Sequence, residues 1–428
     1  MRNLTKYRYG LVKIGVIFIT ILTLHLPASA ATVTYDNENN ILIDGEPFFP
    51  IMQWLQSTSS IPKNKAIGIN TFVGVWQPNA GKIVTYLDAY ENAGVWGIVP
   101  FDTDNRIKNH PALLSWIFAD EPDLQSNKIL PSAILAQYNT IKTHDPNHLA
   151  FLTITGAFHH VDTNLPSWMN GSDQYYYDYA AATDVIGFDK YPIYGWCRED
   201  FFYWVGDAQK LLRETYARNQ HPTYQWIELM KCCSKWCYNA DRNGLAAYPE
   251  EIKAEVWYAI IHGAKAIGYF THSWRNNDCS QSGSQFYTPF QVTEEQKNTI
   301  RVTNGQITAL TSVIASPFTT GTTSEIKTGT GRVDFMTKSH NGDLYIFAAN
   351  VLHISDDNNL TIAFTVPGLA QTSKTVEVYD ESRTLTPVEG VFSDTFSETD
   401  PVHIYVIRGL VTGEVPAAPQ NLSIMNRE

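Results

Sequence analysis

The sequence predicts an α/β fold, a (β/α)8 TIM barrel with a C-terminal all-β sandwich domain, on three observations. From about residue 41 to 315, short apolar, β-branched runs alternate with longer segments of helical spacing, eight times over. Acidic and aromatic residues recur at the ends of many of these runs rather than at one. After residue 316 the pattern changes to short alternating runs separated by turn residues. Eight strand-then-helix units in roughly 270 residues match the size of such a barrel. A doubly wound open sheet is the rival, but no Gly-rich phosphate loop follows the first run.

Taken in order, strands are expected over Phe48–Gln53, Asn70–Trp76, Trp96–Phe101, Leu114–Ala119, Leu149–Ile154, Asp184–Phe188, Tyr224–Ile227 and Ala266–Phe270. Between them, Ile83, Val84, Leu87 and Tyr90 have the spacing of a helix over Gly81–Asn92. Further helices are expected over Leu130–Thr143, Phe201–Arg218, Pro249–Ala264 and Thr293–Ser316. The fourth of these five opens with Pro-Glu-Glu, as a helix start should. The sandwich strands are expected over Arg332–Thr337, Leu344–Ala349, Leu360–Val366, Thr375–Tyr379 and His403–Ile407, with Asn341-Gly342-Asp343 as one of the turns. The chain thus divides into a barrel over 31–316, a sandwich over 317–410 and a linker-like tail over 411–428.

The first thirty residues carry Arg2, Lys6, Arg8 and Lys13, an apolar stretch from Ile14 to Leu24, and Ala28-Ser29-Ala30 before Ala31. This is the pattern of a secretory signal peptide with a cleavage site after Ala30, its apolar stretch being too short to span a bilayer. Cleavage removes four basic and no acidic residues, moving the formal charge from −12 to −16. Such an acidic surface disfavours nucleic acid and polyanionic substrates. The expected partner is a neutral oligo- or polysaccharide, with no membrane contact after cleavage. The 11 Trp and 23 Tyr suit surfaces that stack on sugar faces, although they also fill ordinary cores.

Cys197, Cys232, Cys233, Cys237 and Cys279 follow the last three expected barrel strands. In an exported chain they read as two disulfides and one thiol. A metal site joining Cys232, Cys233 and Cys237 to His262 or His272 is the rival, but the spacing lacks the paired knuckles of zinc sites. No metal and no cofactor is expected.

The chemistry-bearing pair is Glu121, in Asn109–Asp123, and Glu228, in His221–Leu229. Each follows the end of an apolar run. In a barrel the carboxyl ends of all strands converge on one face, so glutamates after strands four and seven meet across the mouth. Two facing carboxyl groups can divide acid/base and nucleophilic work between them, which points to cleavage of a glycosidic bond. Taken alone, a glutamate at a strand end is more often a solvated or ion-paired surface residue.

Asp120-Glu121-Pro122 and Trp226-Ile227-Glu228 resemble the motifs of clan A of the glycoside hydrolases, retaining enzymes on a (β/α)8 barrel. The resemblance spans the barrel in strand order through motifs a few residues long. It implies Glu121 as acid/base, Glu228 as nucleophile, and no cofactor. A retaining route needs the two carboxyl groups about 5 to 5.5 Å apart, an inverting one about 6.5 to 9.5 Å. Glu121 must then hold its proton, and the negative charge of Glu228 is expected to raise its pKa. The clan's usual Asn before the acid is Asp120 here; an ionised Asp only accepts hydrogen bonds, which alters the contact to the sugar's 2-position. The alternative role for Asp120 is an ion pair.

Around this pair stand further substrate-binding candidates. Asp189 and Tyr191 follow strand six, and Tyr191 resembles the clan's tyrosine that hydrogen-bonds the nucleophile. Trp274, past strand eight, resembles the aromatic platform beneath the sugar. Trp54 and Trp76 follow strands one and two, with core packing as the alternative for each. His159, with His160, follows strand five, and Tyr194-Gly195-Trp196 lies in the sixth loop. Asp102 either binds a hydroxyl or caps the next segment, and the run Tyr175–Tyr177 carries little on its own. A carbohydrate-binding barrel without catalysis is the second reading. An esterase is disfavoured by the lack of a Gly-x-Ser-x-Gly elbow.

Overall fold

A computed structural model describes residues 30–159, 165–195, 198, 202–232, 247–275, 282–287, 292–351 and 359–410. The expected signal peptide, the tail, His160, Trp196 and all the cysteines except Cys232 lie outside them.

Eight parallel strands close into one barrel in sequence order: β1 (Ile51–Trp54), β2 (Thr71–Val73), β3 (Trp96–Pro100), β4 (Leu113–Ile117), β5 (Leu149–Thr155), β6 (Val185–Asp189), β7 (Thr223–Glu228) and β8 (Ala266–Phe270). Seven of the eight expected strands shift by one to three residues at an end. The start of β1 shifts by three residues because Phe48 instead bonds Ile41 and extends a three-stranded antiparallel sheet (Val33–Tyr35, Ile41–Ile43, Glu46–Pro47) that the sequence did not suggest. Val33 donates to the Asn147 carbonyl just before β5, which places this sheet at the barrel's N-terminal end.

Side chains alternate across a strand, so every second residue faces the barrel interior. Met52, Val73, Ile98, Leu114, Phe151, Tyr224 and Trp226 form one apolar cluster there, joined by Val33 and Ile41 of the N-terminal sheet. Two glycines make room for the largest rings. A Cβ on Gly187 would lie 2.4 Å from the Tyr224 ring, and one on Gly268 2.2 Å from Trp226. By the same alternation Asp189, two residues beyond Gly187, faces inward at the C-terminal rim, while the carboxyl of Glu228, which ends β7, lies against a helix outside the barrel.

Outside the barrel pack α1 (Ala80–Ala93), α2 (Pro131–His144), α3 (Gln174–Ala181), α4 (Trp204–Leu211), α5 (Pro249–Ile261) and α6 (Glu294–Ala309). The expected helix over Phe201–Arg218 starts at Trp204, and its last turn, Leu212–Tyr216, has π geometry. The expected helix to Ser316 is interrupted at Leu310 and resumes as Thr311–Ala315. The buried face of α5 covers almost its whole circumference, from Ile252 to Ile261. It is sandwiched between β7 and the C-terminal domain.

That domain holds two antiparallel sheets. One has three strands, β9 (Thr323–Thr328), β12 (Leu360–Thr365) and β15 (Val391–Phe396). The other has five: β10 (Val333–His340), β11 (Asp343–Asn350), β13 (Val376–Val378), β14 (Arg383–Leu385) and β16 (Val402–Ile407). Phe335, Phe364, Phe392 and Tyr405 fill the space between them. Trp257 of α5 stacks on Phe347 at 5.5 Å, and the Tyr258 hydroxyl donates to the Asn350 carbonyl. His262 shares a 2.7 Å hydrogen bond with Asp334, which Arg332 also clamps at 2.7 Å while reaching Asp207 at the start of α4. No described helix is long and apolar enough to cross a membrane.

Candidate active site

The loop after β4 carries Asp120 and Glu121, and it is held by its neighbours on both sides. The Glu121 N–H donates to Thr153 on β5 at 3.1 Å, and the Asn127 side-chain amide donates to the carbonyls of Asp120 and Glu121, each at 3.2 Å. Asp123 is fully buried and accepts from the Thr155 N–H (2.8 Å), the Thr155 hydroxyl (2.6 Å) and the Tyr176 hydroxyl (3.4 Å). Glu121 itself has φ +46°, the left-handed region that costs a side-chain-bearing residue about 1 kcal/mol or more. The surrounding hydrogen bonds keep it there, which turns its carboxyl group toward β6.

There it meets Asp189. The two carboxyl groups are hydrogen-bonded, and one Asp189 oxygen, Oδ1, is buried with no other partner. Burial, the charges of Glu121 and Asp120, and this bond hold the Asp189 proton well above the ordinary carboxylate range. Glu121 is raised by burial, with the bond from Asp189 opposing. The cause is therefore not the expected one: burial and Asp189, rather than the charge of Glu228, set its proton affinity. Asp120 is open to water yet crowded by protein, and burial, Glu121 and Asp123 push it up to about 7. It makes no ion pair among the described residues. Burial raises Asp123 to about 7, against the two bonds from Thr155.

Glu228 ends β7 and is fully buried. One carboxylate oxygen accepts the Ile193 N–H at 3.0 Å, and the other accepts the Tyr194 N–H. The loop after β6 thus folds over it, and its bonds come from that loop's backbone rather than from the Tyr191 hydroxyl. Beneath it lies Glu255 of α5, also fully buried, its carboxyl against that of Glu228. Burial raises Glu228 to about 7, opposed by the bonds from Glu255, Ile193 and Tyr194.

Tyr191 stands beside the Asp189–Glu121 pair. It stacks on Phe270 at the end of β8 with ring centroids 5.6 Å apart, and its hydroxyl proton is held far more tightly than usual by burial and by Asp189, Glu121 and Asp120. Trp54 is half-buried and meets Trp226 edge-on at 5.4 Å, a core contact at the floor of the mouth. Trp76, past β2, is 50% exposed. Trp274 lies in the short strand Ser273–Arg275 immediately beyond β8. His159 is buried edge-on against Trp204, 6.1 Å between ring centroids. Asp102 accepts the Asp104 N–H at 2.9 Å and so caps its own turn. Tyr176 is core, packed on Phe158. Cys232 is buried.

Sequence reasoning missed Glu255, Asp123 and Thr155. The signal for Glu255 was an acid in the middle of Ala254–Ile261, a helical stretch apolar nearly all round, where a charge has no solvent-facing position.

No protein-family model matches the sequence, and no curated protein is detectably similar to it in sequence. In three dimensions it is similar to an α-amylase from Geobacillus thermoleovorans complexed with acarbose: the TM-score is 0.54 at 8% identity over 84% of this chain and 98% of that one. It is likewise similar to AmyP in complex with maltose, with a TM-score of 0.52 at 8% identity over 85% of this chain and 97% of that one. At this identity the likeness establishes the architecture, a barrel followed by a β domain, and nothing finer.

Proposed function

We propose that this protein is a secreted, retaining glycoside hydrolase that cleaves β-glycosidic bonds in a mostly neutral oligo- or polysaccharide. The observation that carries the reading is the position of Glu121 and Glu228 at the C-terminal ends of strands four and seven of one closed barrel, both with raised proton affinity. Such perturbed carboxyl groups mark sites of proton transfer and nucleophilic attack.

In the proposed reaction Glu121, with Asp189, protonates the departing glycosidic oxygen while the ionised Glu228 attacks the anomeric carbon. A glycosyl ester forms on Glu228, and the leaving sugar departs with the proton. Glu121 then takes a proton from water as that water attacks the ester, which restores Glu228 and releases the sugar with its configuration retained. The exposed Trp76 supplies a stacking surface, Asp120 accepts from a substrate hydroxyl, and the chemistry asks for no cofactor or metal. Attack requires the Ile193–Tyr194 backbone to yield one oxygen of Glu228 to the substrate. Export after cleavage at Ala30 and two disulfides among the five cysteines complete the proposal.

The closure of Glu228 by that loop favours a second reading, a carbohydrate-binding barrel in which Glu228 only anchors the sixth loop. Reducing-sugar release from β-linked glucans, galactans, mannans and xylans, compared between wild type and Glu228→Gln, separates the two. Release that vanishes in the variant supports the hydrolase. Equal release from both removes Glu228 as nucleophile, and binding without release in either protein supports the second reading.

A further inference from the structure

Glu255 has no place in the chemistry just described, yet it is placed as though it did. It sits on α5, directly under the end of β7, in a helix whose other faces bury Val256, Trp257, Ala259 and Ile260. Its carboxyl oxygens are wholly buried, and among the described residues its polar neighbour at bonding range is Glu228, through both carboxyl and backbone. Glu228 is equally buried, with its two oxygens already accepting from Ile193 and Tyr194. Two carboxylates in a dry site cannot both be ionised, because neither has the solvation to offset the repulsion. Removing both protons is disfavoured, and adding both leaves the two backbone N–H groups facing a neutral acid.

We infer that Glu255 is a positioning residue for Glu228: the pair holds one proton between them, and the hydrogen bond it makes fixes Glu228 in the orientation and ionisation state that attack requires. The proton rests on Glu255, since Glu228 accepts from two backbone donors that favour a negative charge, Ile193 and Tyr194, and Glu255 from one, the Glu228 N–H. Around the pair, Glu251 lies one turn earlier on α5 and opposes further negative charge. Tyr258 lies one turn later, facing Asp334 and Arg332 of the C-terminal domain, and Tyr194 closes the site from the loop after β6. This inference rests on the hydrolase reading for its catalytic meaning, but the shared proton itself does not.

The test uses the full chain with Glu255→Gln, which keeps a donor but cannot ionise, and Glu255→Ala, which removes the donor. Where the protein hydrolyses a glycan, the acid limb of kcat/KM should stay in place for Glu255→Gln and move about one unit upward for Glu255→Ala, so that the alanine variant loses about tenfold more at the low-pH end than at the high-pH end. A merely structural glutamate would lower the rate in both variants without moving the limb, and that result overturns the assignment. A second measurement is independent of activity: Tm against pH from 5 to 9 for wild type and Glu255→Gln. Because wild-type Glu255 keeps its proton above the pH at which the unfolded chain releases it, wild-type stability falls as pH rises, and the glutamine variant lacks this loss. The gap between the two curves should therefore widen with pH. Parallel curves would show that Glu255 holds no such proton and would overturn the inference. Widening curves in a protein that cleaves nothing would sink the hydrolase reading while supporting the shared proton.

Discussion

The Asp123 carboxylate and the Thr155 hydroxyl are 2.6 Å apart, and through this bond the end of β5 grips the loop that presents Glu121. A second bond, from the Thr155 N–H at 2.8 Å, makes the grip two-pronged. Replacing Asp123 by Ala leaves the buried Thr155 and Tyr176 donors without an acceptor, at about 1–3 kcal/mol each. Asp123→Ala is expected to lower stability by a few kcal/mol in urea unfolding and to reduce kcat more than it changes KM. An unchanged midpoint would show that the loop is held by other means.

Glu121→Gln removes the transferable proton but keeps the size of the side chain. The rate of glycan hydrolysis should fall about 10²–10⁴-fold, with the larger losses for substrates whose leaving group most needs protonation. Activated aryl glycosides, which need little help to leave, should be the least affected. An equal loss on both kinds of substrate would exclude Glu121 as the acid.

The stereochemistry of the first-formed sugar gives a separate check. Proton NMR of the anomeric signal should show product of retained configuration before mutarotation, as double displacement requires. Initial release of the opposite anomer would mean a water-mediated single displacement.

The pH dependence of stability has a defined sign. Asp123, Asp189 and the Glu228–Glu255 pair all retain a proton above the ordinary carboxylate range, chiefly through burial. Above about pH 4 the unfolded chain has released these protons while the folded one retains them, so stability falls as pH rises through about 7. On the other side, Asp334, held down by His262 and Arg332, and Asp394, held down by Arg383, contribute stability that is lost as pH drops below about 4. Calorimetry across pH 3 to 9 should give the highest Tm at mildly acidic pH. A Tm that climbs steadily toward pH 9 would contradict the buried, protonated carboxyl groups.

Trp76→Ala should leave Tm unchanged, since half the side chain is already in water. It should weaken glycan binding by about 1 kcal/mol, roughly fivefold in Kd by calorimetric titration. A loss of stability with no change in binding would assign the indole to packing instead.

The barrel was readable because its strands are covered on both faces, so each is a continuous apolar run that stands out between helical segments. Glu121, Glu228 and Asp189 were readable for the related reason that a carboxyl group at the end of such a run has only the rim to occupy. The N-terminal antiparallel strands have three residues or fewer, too short to show a period, and so were invisible. The partners of the rim carboxyl groups were hidden by contact across sequence: Asp123 looks like one more acid in an Asp-Glu-Pro-Asp turn, and Thr155 is an ordinary strand residue until the fold brings the two together. His159 shows the converse, a chemically suggestive residue at the expected strand end whose ring the packing claims for Trp204.

One helix ties the two halves of the molecule together in a way that bears on how the protein can be cut. On α5, Glu255 sits under Glu228, while Trp257, Tyr258 and, one residue past its end, His262 bond or stack against the C-terminal sheets. The β domain is therefore not a passenger that can be trimmed from a self-sufficient barrel. A truncation after residue 316 would leave a barrel with a raw apolar flank on the very helix that steadies Glu228. Exchange of this domain for another would succeed only where the replacement carries its own answers to Trp257, Tyr258 and His262, so the two halves have to be inherited, or engineered, as one piece.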